Sequence, residues 1–113
     1  MPRFALVLVV AVAPLGRAAA QEPDFNRDVR PILAGKCFKC HGPDEKARKA
    51  DLRLDARDDA VKAGAIDPGK ADASELIRRV VSHDPAEVMP PPAVKNALTD
   101  REKDVLKRWV AAG

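Results

Sequence analysis

Cys37 and Cys40 stand three positions apart, and His41 follows directly. This C-x-x-C-H pattern is the attachment signal for haem c. The spacing has a chemical reason. Each thiol adds across one vinyl group of the same haem, sulfur to one carbon and hydrogen to the other, giving two thioethers. The next side chain, His41, is then held beneath the iron as the proximal ligand. One imidazole nitrogen coordinates, and the other needs an acceptor that fixes the tautomer; the sequence alone does not name that acceptor. Two other uses of the same residues compete. A redox disulfide at this spacing belongs in a strand–helix–strand setting, and no such pattern is visible. A closed zinc site takes four ligands. There is no second C-x-x-C, so only His83 or a carboxylate could complete one.

A haem iron held by His41 has one further position. Outside residues 1–20 the chain has one methionine, Met89, and one other histidine, His83. His/Met ligation raises the potential of a haem and suits electron transfer. Met89 is followed by Pro90, Pro91 and Pro92, which favour a stiff extended path able to present a thioether. The bland alternative for Met89 is core filling, for which a polar, proline-rich loop is a poor place. His83 follows an expected helix, where a surface histidine facing the helix dipole is the ordinary reading. Met89 is therefore the expected sixth ligand.

Residues 1–20 read as a secretory signal: Arg3, an apolar run from Phe4 to Leu15, and Ala18-Ala19-Ala20 as a cleavage site. The run is shorter than the ~20 apolar residues of a membrane span, and Pro14, Gly16 and Arg17 close it. Export also favours haem over zinc, because haem c is attached after export. Residues 21–113 then form one haem domain. Removing residues 1–20 takes two of the 20 basic residues and none of the 17 acids, so the formal charge falls from +3 to +1. A near-neutral domain gives no case for nucleic acid binding. A domain of this size with one Trp, two Phe and no Tyr is short of core, and a flat apolar cofactor would supply one.

The elements that must position these residues are helical. Phe25, Val29, Ile32 and Leu33 recur at helical spacing, with Asp24 or Asn26 as cap, Pro31 as an awkward residue, and Gly35 as the expected end. A short helix is expected over 56–63, with turns at Gly64 and Asp67-Pro68-Gly69. Asp72 and Glu75 have capping-box spacing ahead of Leu76, Ile77, Val80 and Val81, predicting a helix over 73–82. A second capping box, Thr99 with Glu102, opens a helix over 99–112 whose face carries Val105, Leu106, Trp109 and Val110.

Taken together, these residues resemble the planctomycete-type cytochrome c domain, a relative of the small class I cytochromes c. The resemblance runs through Phe25 to Leu33, Cys37 to Pro43, Leu52-Arg53-Leu54-Asp55, Pro68-Gly69-Lys70, Ser74 to Val80, Met89-Pro90-Pro91, Leu98-Thr99 and Trp109. It implies an all-α, class I cytochrome c-like fold of about three main helices around one covalent haem c. It carries the thioethers onto Cys37 and Cys40 and the axial ligands onto His41 and Met89. The segment 62–68 is shorter than the glycine-rich loop usual there. Relatives commonly continue into large C-terminal domains, so the chain is expected either to stand alone or to be the N-terminal part of a larger protein.

The leading functional expectation is a one-electron relay in an exported, extracytoplasmic setting, working with redox partner proteins and without a stable membrane span. Such a relay needs no acid, base or nucleophile. Asp58 and Asp59, or Asp84 and Glu87, read as solvated charge or caps. The alternatives are an open-site haem that binds peroxide or a small gas, should Met89 not ligate, and a non-haem metal or interaction module. Lys36, Lys39, Lys46 and Lys49 cluster near the motif and could steer an acidic partner, but Asp44, Glu45 and Asp51 dilute the patch, so a solvated face is the simpler reading.

Overall fold

The computed structural model describes residues 1, 2, 5, 7–14, 16 and 22–113. Among these the structure is helical, without a strand: α1 (Arg30–Lys36), α2 (Arg57–Lys62), α3 (Glu75–Val81) and α4 (Asp100–Ala112). Short 3-10 turns stand at Ala71–Ala73 and Pro92–Val94. No helix among the described residues is long and apolar enough to cross a membrane. The expected cleavage site at Ala18-Ala19-Ala20 lies outside the described residues.

Pro31 shapes the entry to α1. Its ring nitrogen has no hydrogen, so an α-turn cannot close onto the Arg27 carbonyl. The chain instead winds as a wider π-turn over Phe25–Val29, with the Arg30 N–H donating to the Phe25 carbonyl. Asp24 caps it, accepting from the Arg27 N–H at 2.8 Å. Pro31 then falls in the first turn of α1, where no N–H is required. Gly35 does not end the helix as the sequence suggested. The helix runs through it to Lys36, and the Cys37 N–H still donates to the Leu33 carbonyl at 2.8 Å.

The Asp72–Glu75 box does not form either. Ser74 precedes α3, and its side chain makes no cap. The first N–H groups of α3, on Glu75 and Leu76, donate instead to the carbonyls of Gly64 and Ala65 at 3.3 and 2.9 Å. Those carbonyls are available because α2 ends on Gly64, whose φ is +76°. The N–H groups of Gly64 and Ala65 close back on Val61 and Ala60 at 3.0 Å each, the double closure that a left-handed glycine permits. The second box forms as expected: Thr99 accepts from the Glu102 N–H, and Glu102 accepts from the Thr99 N–H.

α4 organises the core. It packs against the Phe25–Val29 turn and against α3, with Phe25 and Trp109 ring centroids 5.7 Å apart. Val29, Leu33, Val80 and Leu106 are at most 1% exposed, and each such burial contributes about 1.5–3 kcal/mol. The Gly69 N–H donates to the Val110 carbonyl at 2.8 Å, which fastens the long connection before α3 to the end of α4.

Candidate functional site

Cys37 ends α1, and the chain turns sharply after it. The N–H groups of Cys40 and His41 both donate to the Cys37 carbonyl, at 3.2 and 2.9 Å. Gly42 completes the turn. It lies so close to the Phe38 peptide that a Cβ there would sit 2.2 Å from the Phe38 carbonyl oxygen. The loop that follows folds back over the motif. The Lys49 N–H donates to the Cys40 carbonyl at 2.7 Å and the Leu54 N–H to the His41 carbonyl at 2.8 Å. Arg48 Nε donates to the Gly42 carbonyl at 3.0 Å. Ala50 and Asp51 take left-handed φ values of 55° and 51°, an uncommon pair without glycine.

This fold-back answers the question of the His41 acceptor. His41 Nδ1 lies 3.2 Å from the Lys49 carbonyl oxygen. A carbonyl only accepts, so in the neutral ring this contact favours the tautomer with the hydrogen on Nδ1 and the lone pair on Nε2. That is the tautomer an iron-ligating histidine requires, with the second ring nitrogen held by backbone.

Cys37, Cys40, His41 and Met89 all line one cavity of about 410 Å³, in the size range of cofactor sites. The lining between them is mainly apolar and includes Leu52, Leu54, Leu76, Val80 and Val94. His83 does not line it; it is exposed on the loop beyond α3. Both cysteines are free thiols. Burial, reinforced by the neighbouring Cys40 and Glu102, pushes the Cys37 thiol up to about 11. A redox-active C-x-x-C pair works through a thiolate of lowered pKa, and Cys37 is shifted the opposite way. Among the described residues, no three His, Cys, Asp or Glu side chains gather as a metal-binding group.

Met89 is held from below by α3. Its N–H donates to the Arg79 carbonyl at 3.2 Å. The Arg79 side chain donates to the Glu87 carbonyl at 3.4 Å and to Glu75 Oε1 at 2.9 Å. Arg78 joins Glu75 to Glu87, the latter contact at 2.7 Å. The two arginines hold the Glu75 carboxyl down to about 2, Arg78 contributing most. Glu75, Arg78 and Arg79 stand at the spacing of helical ion pairs, but the link to Glu87 forms only where the loop meets α3.

A family model for planctomycete cytochrome C matches residues 37–93. The chain belongs to that family. The match begins at the first motif cysteine and runs through the Met89 loop. Neither the curated proteins nor the solved structures hold a match to the chain. Membership of the planctomycete cytochrome C family implies haem as the cofactor and points to an electron carrier rather than an enzyme. The residues present fit that cofactor: a largely apolar cavity, two uncombined thiols on its wall, and an imidazole whose outer nitrogen is already engaged.

Proposed function

We propose that this chain is a mono-haem c electron-transfer domain whose iron is held between His41 and Met89. When bound, haem supplies a one-electron Fe(III)/Fe(II) couple. Cys37 and Cys40 anchor it through thioethers. Lys49 offers its carbonyl to His41 Nδ1 and so keeps Nε2 directed to the metal. Met89 supplies a soft thioether, which favours the ferrous state and raises the potential. Leu52, Leu54, Leu76 and Val80 exclude water. α1, α3 and α4 form the three-helix shell of a class I cytochrome c. Partner proteins would supply and take the electron, and no residue of this chain would need to act as acid, base or nucleophile.

The observation that carries this reading is the shared cavity, which takes all four residues from two distant parts of the chain while His83 stands outside it. We further propose that residues 1–20 direct export to an extracytoplasmic compartment, where haem attachment takes place. In support, Val7, Val9 and Val12 are more than four-fifths exposed and so are no part of the core. The test is Met89→Ala in the haem-loaded protein. The unsubstituted protein is expected to show the weak sulfur-to-iron band at the red end of its oxidised spectrum. The variant is expected to lose that band and to have a lower reduction potential. An unchanged band and potential would remove Met89 from the iron.

A further inference from the structure

The segment that carries Met89 crosses the cavity from α3 to α4, and it is fastened at both ends. The Met89 end is tied to α3 through Arg79, as described above. The far end is tied to α1. Asn96 Nδ2 donates to the Gly35 carbonyl at 2.9 Å. Lys36 Nζ donates to Asn96 Oδ1 at 2.8 Å and to the Ala97 carbonyl at 3.1 Å. Lys36 is only 20% exposed, with Glu102 at 3.9 Å on its other side. Lys95, just before Asn96, has a left-handed φ of 55°, so the chain reverses there to bring the amide back to α1. Between the two fastenings, Pro90, Pro91 and Val94 face the cavity.

We infer that Asn96 is a positioning residue: its amide clamps the Met89 strap onto the last turn of α1, beside Cys37, and thereby keeps the strap closed over the iron. This rests on the proposed ligation by Met89 and adds a residue that touches neither metal nor sulfur. The clamp is chemically specific. One amide face donates to a helix carbonyl left free at a C-terminus, and the other accepts from a lysine on the same turn. Alanine at 96 loses both bonds. Methionine at 36 retains the aliphatic stem and loses only the charged half.

The experiment is imidazole titration of the oxidised, haem-loaded protein, followed in the visible spectrum. Imidazole competes with Met89, so its apparent affinity scales with the fraction of open strap. Asn96→Ala is expected to bind imidazole about thirty- to a thousandfold more tightly, the worth of one neutral and one charged hydrogen bond. Lys36→Met, which removes the charged bonds to both Asn96 and the Ala97 carbonyl, is expected to give a gain at least as large. The double variant should fall short of the product, because the two residues share a bond. A merely structural role would lower the melting temperature and leave imidazole affinity unchanged. That result, in a protein whose oxidised spectrum retains the sulfur-to-iron band, overturns the clamp and leaves Met89 ligation standing. If the unsubstituted protein lacks the band, Met89 ligation fails and the clamp falls with it.

Discussion

Gly42→Ala should damage the haem motif more than any other single methyl group added to a glycine of this chain. The new Cβ would lie 2.2 Å from the Phe38 carbonyl oxygen and 3.0 Å from its carbon, whereas real Cβ atoms stay beyond 3.0 Å. The two chain segments must therefore part by roughly 0.8 Å at that point. The obstacle is backbone and cannot rotate away. The Phe38 peptide lies between Cys37 and Cys40, and Gly42 follows His41, so opening this contact moves the thiols relative to the imidazole. Overpacking costs about 1–3 kcal/mol, and a backbone clash belongs near the upper end. For a domain of this size, a loss of about 2–3 kcal/mol lowers the melting temperature by roughly 10–20 °C. The assay is thermal unfolding of the haem-loaded protein, with covalent haem per chain measured beside it. Gly64→Ala is the control. Its Cβ meets nothing within 4 Å, but its φ is +76°, so only the left-handed penalty of about 1–2 kcal/mol applies. A Gly42→Ala protein that melts with the unsubstituted one and carries full haem would refute the steric argument.

Two further expectations concern what holds the site in place. Ser74 is fully buried; its Oγ accepts from the Asp67 N–H at 2.8 Å and donates to the Lys70 carbonyl at 2.9 Å. Ser74→Ala leaves the Asp67 N–H unpaired, while the Lys70 carbonyl keeps the Ala73 N–H at 3.2 Å, and should cost about 1–3 kcal/mol in chemical denaturation. The Glu75 carboxyl is held down to about 2 from an ordinary 4.5. A depressed carboxyl stabilises the fold above pH 4.5 and loses that contribution as pH falls toward 2. Since Glu75 is 44% exposed, screening keeps the effect small. Urea midpoints should fall over this window, less steeply in Glu75→Gln, and high salt should narrow the difference; parallel curves would contradict the assignment.

Much of the fold was readable where the signal was local. The Thr99–Glu102 box opened α4 where expected, and most of the apolar residues spaced along α1, α3 and α4 are buried, whereas Phe25 and Val81 of the same stripes are exposed. Local reading went astray where a neighbour distant in sequence supplied the bond. Asp72 was unnecessary as a cap because Gly64 and Ala65 serve the first N–H groups of α3. Ser74, beside it, is committed to Asp67 and Lys70. Gly35 did not stop its helix: its backbone stays helical, and its free carbonyl is taken by Asn96, 61 residues away. The cavity-lining residues Cys37, Cys40, His41 and Met89 could be named from type and spacing. Their supports could not. The Lys49 carbonyl beneath His41 has no side-chain signature, and the tie between Arg79 and Glu87 exists only once α3 and the loop meet.

The central claim is that Cys37 and Cys40 hold haem covalently. The direct measurement is a haem-stained denaturing gel of the chain produced with a cytochrome c maturation system, run beside Cys37→Ala/Cys40→Ala. Haem colour that survives denaturation in the unsubstituted chain and disappears in the double variant is the predicted result. A colourless unsubstituted chain, or colour that persists without both thiols, would contradict it.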